Sequence, residues 1–293
     1  MEYIPAKTIV SRTKSSDWFG AEYNMNIYRG CCHGCIYCDS RSDCYRVENF
    51  DSVRAKENAL TLIRDELRRK VKTGVIATGA MSDPYNPFEK ELKLTRHALE
   101  LINAFGFGVS IATKSPLVAR DIGILRDIAQ HSPVIIKLTI TTFDDELCKK
   151  LEPNVAAARE RFRALKELSD CGVYSGILLM PVLPFINDTE ENIIQIARAA
   201  KESGARFIYP AFGVTLRDAQ REYFYQKLDE FFPDTTEKYI KRYGGRYSCA
   251  SPRAKQLYSI LAEECKELGL LYKMRDIIRS YKLGYGDLQM SLF

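Results

Sequence analysis

Past its first twenty or so residues, the chain alternates between short apolar runs and longer stretches whose apolar positions recur at helical spacing. NMNIYRG (24–30) predicts a strand that runs straight into a cysteine-rich loop. Across 52–72, Leu60, Ile63, Leu67 and Val71 share one helical face, and Gly74 marks the stop. VIATGAM (75–81) is the next apolar run, followed by the turn-rich SDPYNP and a helix from about Leu92 to Phe105. The cycle then repeats. GVSIAT (108–113) precedes a helix over 116–130, and VIIKLTITT (134–142) precedes one over about 156–171. VYSGILLMPVL (173–183) precedes a helix over 189–203, and RFIYPAFGV (206–214) is the sixth strand.

Six strand-then-helix units with nearly continuous apolar strands imply a parallel sheet covered by helices. Periodicity alone leaves a complete barrel, a partial barrel and an open doubly wound sheet as alternatives. In each of them chemistry belongs at the C-terminal ends of the strands. The cysteine loop, SDPYNP, TKS, TFDDE and PVLPFIND all fall there. From about residue 215 the pattern turns helical, charged and tyrosine-rich, so a boundary is expected between Val214 and Arg217.

Composition changes this picture little. A 46% hydrophobic chain of 293 residues can bury a large core. A net charge of +5 is compatible with a polyanionic partner without identifying one. No run reaches the roughly 18 apolar residues of a membrane span. MEYIPAKTIVSRTK lacks the apolar centre of a signal peptide, so a cytoplasmic location is expected. Nine cysteines, an odd number, point to thiols or metal ligands rather than a disulfide framework.

Four of those cysteines fall within YRGCCHGCIYCDSR (28–41). Three thiolates on so tight a loop make a soft-metal site. Two registers compete: Cys31, Cys35 and Cys38, or Cys32, Cys35 and Cys38. A structural zinc site needs four ligands, and Cys148, Cys171, Cys249 and Cys265 are scattered singly. His33 reads as a turn residue. A ferredoxin run fails because Ser42 and Asp43 stand where cysteine and proline are required. What remains is a three-cysteine site with an open position. Asp144, Asp145 and Glu146 read as a solvated helix start.

C-x3-C-x2-C with Tyr37 before its last cysteine resembles the signature of the radical S-adenosylmethionine (SAM) superfamily. With GAMSDPYNPFEKELKLTRHALELI, TKS, LEPNVAAARERF and GILLMPVLPFIND in order over about 20–215, the chain resembles the spore photoproduct lyase-related branch. The resemblance implies a partial (β/α)6 barrel of the TIM type, with lead-in 1–22, barrel 23–215 and helical C-terminal extension 216–293. It implies a [4Fe–4S] cluster on Cys31, Cys35 and Cys38, with Cys32 spare and one iron left for SAM. Tyr37 would frame the adenine, Ser82 and Asp83 would approach the methionyl amino group, and Lys114 and Thr139 would contact methionyl and ribose. Arg161 would meet the SAM carboxylate, and Met180 with Pro181 would line the adenine pocket. Reductive cleavage would yield a 5′-deoxyadenosyl radical, with flavodoxin or ferredoxin as electron donor.

One departure concerns the substrate. Spore photoproduct lyase relies on a thiol just before the matching Ser-Asp, and this chain has Thr78-Gly79-Ala80-Met81 there. Cys249 and Cys265 remain as candidate hydrogen donors. In KRYGGRYSCASPRAK (241–255), Arg242, Arg246 and Arg253 interleave with Tyr243 and Tyr247, a combination suited to phosphates and bases. The terminal QMSLF resembles the peptide by which bacterial repair proteins dock on the DNA sliding clamp, with Gln289, Leu292 and Phe293 as anchors. DNA repair or nucleic-acid modification is the expected function. The alternatives are a radical SAM modifier of RNA, protein or a small molecule, and a non-catalytic zinc-binding scaffold on the replication machinery.

Overall fold

In the computed structural model, which describes residues 1–285, the expected NMNIYRG strand is split between two sheets. β1 (Glu2–Ile4) and β2 (Val10–Arg12) lead in; β3 (Tyr23–Met25) then joins the main sheet. β4 (Tyr28–Arg29) instead pairs with β5 (Arg54–Lys56), which also pairs with β1. The chain changes sheets at Asn26 and Ile27, where Asn26 N–H bonds Ile9 O and Ile27 O accepts from Lys56 N–H. The helix expected over 52–72 is correspondingly shorter, because its start is β5. α1 covers Ala59–Arg68, and Val71 lies beyond it at 99% exposure.

The βα units follow in order. β6 (Val75–Thr78) leads to α2 (Glu89–Leu92) and α3 (Leu94–Ala104). β7 (Gly108–Thr113) leads through a 3-10 segment at Pro116–Asp121 into α4 (Ile122–Ala129). β8 (Val134–Thr139) is followed by α5 (Asp145–Leu151) and α6 (Ala158–Asp170). Asp144 caps α5 by accepting from Glu146 and Leu147 N–H, as a helix start should. β9 (Ser175–Leu179) leads to α7 (Glu190–Glu202), capped by Thr189, and then to β10 (Ile208–Pro210).

Six of these strands lie parallel in the order β10-β9-β8-β7-β6-β3, with β2 antiparallel on the outer edge, so the sheet is an unclosed barrel. Alternate residues face two cores. Ile136, Leu138, Ile177 and Leu179 meet the helices, whereas Val75, Ala77, Ile135 and Leu178 face the barrel interior with Phe19 and Phe207.

Beyond the barrel come β11 (Gly213–Thr215), α8 (Asp218–Phe231), α9 (Thr235–Tyr243), β12 (Ser248–Ala250), α10 (Ala254–Leu268) and α11 (Met274–Lys282). β11 and β12 form an antiparallel ribbon. Leu257, Leu261 and Cys265 of α10 share one core with Ile193, Ile196 and Ala200 of α7. Ile277 and Tyr281 of α11 close the lower end of the barrel interior, where Tyr281 Oη donates to Phe19 O at 2.5 Å. No described helix is long and apolar enough to cross a membrane.

Candidate cluster and cofactor site

The cysteine loop leaves β4 through Gly30, whose φ of +79° and closeness to Ser52 O (2.4 Å from an added Cβ) leave no room for a side chain. Backbone bonds then strap the loop down. Cys31 N–H donates to Phe50 O (2.8 Å), Ile36 N–H to Leu151 O (3.0 Å) and Asn154 N–H to His33 O (3.2 Å). The Asn154 amide adds a bond to Cys32 O at 2.9 Å.

Cys31, Cys35 and Cys38 all line one cavity of about 100 Å³, together with Gly79 to Asp83, Ala112 to Lys114, and Thr139. Cys32 lines a different surface groove, with Met1, Asp51 and Phe88. Among the described residues no three His, Cys, Asp or Glu side chains converge on a single-ion point. A cluster has no such requirement, since each thiolate caps its own iron, and an all-thiol set without a fourth protein ligand fits a [4Fe–4S] cluster with one open iron.

Burial holds the Cys35 and Cys38 thiols above their ordinary pKa. Burial acts on Cys31 in the same sense, but its hydrogen bond and charge partner His33 reverse the outcome and lower its pKa. His33 was expected to be a mere turn residue. It is instead buried between Cys31 and Asp83, with Nδ1 3.5 Å from Asp83 Oδ2. Cys31 is its neighbour in the loop, but only the fold brings Asp83 to its other side, so the sequence carried no signal for that contact.

Asp83 is buried and pinned: Thr113 Oγ1 donates to Oδ1 at 2.6 Å and Lys114 N–H to Oδ2 at 2.8 Å. Gly79 sends the chain from β6 to this carboxylate with φ +97°, where a Cβ would overlap Ala112 O. Ser82 lines the same cavity, with its hydroxyl donating to Tyr28 O at 2.9 Å. Lys114 reaches the cluster cavity and the neighbouring one. Burial opposes its charge, but Cys35, Glu152, Cys38 and Asp83 outweigh that and raise its pKa.

The neighbouring cavity, about 470 Å³, is lined by Tyr37, Asp39, Ala80, Met180 and Pro181, and by Thr215 and Ser248 of the β11–β12 ribbon. Five residues stand elsewhere than expected. Arg161 does not face either cavity. It is buried and ion-paired with Glu152 at 2.6 Å, and its remaining bonds go to Thr139 O, Ala156 O and Cys148 Sγ. Cys249 and Cys265 line neither cavity: both are fully buried in other cores, with the Cys265 thiol pushed up to about 12 by burial. Tyr243 is buried too, its hydroxyl bonded to Ala250 O, because α9 packs that face onto α8. Arg253 is committed to Glu190 at 2.6 Å.

At the rim, Arg217 holds Asp39 at 2.9 Å, and Asp39 also accepts from Tyr45 Oη (2.7 Å) and Thr215 Oγ1 (3.1 Å). Tyr247, half exposed, has its ring centroid 5.2 Å from the Arg217 guanidinium. Arg242 and Arg246 are exposed on the same segment. Gln289, Leu292 and Phe293 lie outside the described residues.

The sheet of parallel strands, the three-cysteine cavity at its mouth and the adjoining polar cavity define a class. The Radical SAM superfamily model matches residues 25–209, and the chain belongs to that superfamily. It is a radical SAM enzyme, and its cofactors are a [4Fe–4S] cluster and SAM. An uncharacterized protein of Mycobacterium tuberculosis is 28% identical over 247 residues, covering 82% of this chain and 72% of that one. An uncharacterized protein of Methanocaldococcus jannaschii is 35% identical over 190 residues, or 64% of this chain and 69% of that one. In fold the chain is similar to spore photoproduct lyase complexed with dinucleoside spore photoproduct, with a TM-score of 0.67 at 15% identity, covering 91% of this chain and 79% of that one. It is also similar to the methyltransferase TsrM of Kitasatospora setae, with a TM-score of 0.54 at 11% identity over 82% and 51% of the two chains.

Proposed function

We propose that this enzyme acts on nucleic acid, in DNA lesion repair or in nucleic-acid modification. When bound, the cluster supplies the electron that breaks a carbon–sulfur bond of SAM, giving methionine and a 5′-deoxyadenosyl radical. The chain's own contribution is to orient and enclose. Asp83, fixed by Thr113 and the Lys114 amide, presents a carboxylate at the cluster cavity to an amino group. Lys114 offers the opposite charge beside it, while Tyr37, Met180 and Pro181 give the adjoining cavity an apolar wall for a base.

The observation that carries the nucleic-acid reading is the rim of that cavity. Tyr247 exposes an aromatic ring held against an anchored arginine, with Arg242, which packs on Tyr243, and Arg246 exposed on the same segment. A base needs a rigid stacking surface and the backbone needs cations nearby, and Tyr247 with the arginines of its segment would offer both. Among the described residues, the only thiols lining the two cavities are Cys31, Cys35 and Cys38. A repair reaction that draws hydrogen from a dedicated thiol is therefore not the reading favoured.

The test is SAM cleavage to 5′-deoxyadenosine by anaerobically reconstituted protein, with and without UV-irradiated DNA. Stimulation by DNA that Tyr247→Ala and Arg246→Ala weaken, with cleavage in its absence unchanged, is expected. Indifference to DNA and RNA alike would turn the assignment toward a protein or small-molecule substrate.

A clamp partner goes with this reading. It rests on the resemblance of the terminal QMSLF, with Gln289, Leu292 and Phe293 as anchors, to clamp-docking peptides. Removing 289–293 is expected to abolish binding to the sliding clamp and spare SAM cleavage; unchanged binding would retire the idea. A cytoplasmic setting and a flavodoxin- or ferredoxin-type electron donor belong to the same proposal.

A further inference from the structure

A buried ionic chain joins two walls of the cofactor site from beneath. Tyr37, set between Cys35 and Cys38, gives its hydroxyl to Glu152. Glu152 pairs with Arg161 at 2.6 Å, each side chain 1% exposed. Arg161 spends the rest of its guanidinium on Thr139 O at 2.7 Å, Ala156 O at 2.9 Å and Cys148 Sγ at 2.8 Å. Tyr37 lines the larger cavity and Thr139 the cluster cavity, so one unbroken series of bonds runs from the cysteine loop to the end of β8.

Such a pair is a poor device for stability alone. Desolvating two charges offsets most of their attraction, and apolar residues of similar volume often serve folding as well or better. Hydrogen-bonded charges do fix distance and direction, which an apolar contact leaves looser. We propose that Glu152 and Arg161 are positioning residues for SAM. They hold the Tyr37 ring and backbone at a set spacing from Thr139, so that the adenosyl part of the cofactor meets a preformed site. Neither touches the cofactor; both act through Tyr37 and Thr139. Glu152 is also among the charges facing Lys114, whose ammonium lies 5.7 Å from the Tyr37 ring centroid. The inference rests on the SAM assignment above and deepens it.

Three variants of the full chain test it after anaerobic reconstitution: Glu152→Gln, Tyr37→Phe, and Glu152→Gln combined with Arg161→Met. The readouts are iron and sulfide content, melting temperature, and the change in the reduced cluster's electron paramagnetic resonance signal as SAM is added. All three variants are expected to keep wild-type iron and sulfide. Glu152→Gln alone loses melting temperature because it strands the arginine, and the double variant recovers it. Both bind SAM on the order of tenfold more weakly, the usual scale for losing a supporting bond, and Tyr37→Phe weakens binding by less. A double variant that regains both melting temperature and SAM affinity overturns the inference, since the pair would then serve folding only. Loss of iron in Tyr37→Phe also overturns it, because the chain of bonds would be supporting the ligand loop. Wild-type protein that carries a cluster yet shows no signal change with SAM is a separate failure, that of the cofactor assignment itself.

Discussion

The two ends of the barrel handle buried charge in opposite ways. At the mouth, Glu152 meets Arg161, His33 meets Asp83, and Lys114 sits among thiols and carboxylates. One layer deeper, Lys137 points into the interior from β8, two residues before Thr139, with no carboxylate paired to it among the described residues. Its ammonium has the hydroxyl of Ser110 and the face of Phe19, 4.5 Å away, and below it Phe19, Phe207, Ile277 and Tyr281 seal the floor. Burial alone brings its pKa down to about 7. Paired charges fix geometry where a cofactor must be held. An unpaired one among packed rings fixes nothing comparable and should weigh on stability.

The sharpest break in that contrast is at the mouth. Cys31→Ala is expected to abolish iron binding, because the remaining thiols cannot hold three corners of a cluster, whereas Cys32→Ala should leave iron content intact. Iron and sulfide analysis after reconstitution decides it, and the reverse outcome would restore the other cysteine register.

At the floor, Lys137→Met is expected to stabilise the protein. The sign follows from proton binding. Between about pH 7 and the ordinary lysine value near 10.4, the unfolded chain holds a proton that the folded one lacks, so native stability rises with pH across that window. The penalty is fully present below about pH 7, where the buried group must be charged in the folded state. The methionine variant should therefore gain most near pH 6, on the order of several degrees in melting temperature, and little near pH 10.5. An equal gain at both pH values would mean that Lys137 acts through shape and not through charge.

How much of this was legible in the sequence follows the same division. Strand runs such as GVSIAT and the cysteine spacing announced themselves, because they are local patterns of period and ligand type. The split of NMNIYRG between two sheets was hidden, since it depends on β5 arriving from later in the chain, where Ala55 and Arg54 pair with Tyr28 and Arg29. Glu152 was passed over because LEPNV looks like an ordinary turn, and its meaning comes from Tyr37, 115 residues earlier. Arg161 was given the wrong partner for the same reason: a cation in the right part of the barrel was identified, but the sequence did not say that a buried carboxylate would reach it first. Lys137 within VIIKLTITT was read only as part of a strand, although a lone lysine at an inward position of an apolar run is a signal that period-2 alternation could have raised.

A smaller effect probes how tightly the interior is filled. Gly176 of β9 faces Phe207, and a Cβ there would come within 2.5 Å of its ring and carbonyl. Gly176→Ala is expected to destabilise by about 1–3 kcal/mol, the usual range for overpacking, while cluster content stays at the wild-type level. Denaturant unfolding of the apoprotein measures it. A neutral result would mean that Phe207 can withdraw, and that the floor is less rigid than the ring contacts among Phe19, Phe207 and Tyr209 imply.

The smallest effect is expected at the surface of the extension, where charge pairing recurs without burial. Arg253 and Glu190 meet at 2.6 Å, but their side chains are 39% and 44% exposed. Solvent screens such a pair and the long arginine loses rotamer freedom to keep it, so the net gain is at most about 1 kcal/mol. Arg253→Gln should therefore shift the unfolding midpoint hardly at all, whereas breaking the equally short Glu152–Arg161 contact should shift it clearly. If the two substitutions cost the same, burial would not be what separates them, and the contrast between mouth and surface would have to be sought in geometry alone. The two contacts have the same length, so their surroundings are left as the variable the experiment isolates.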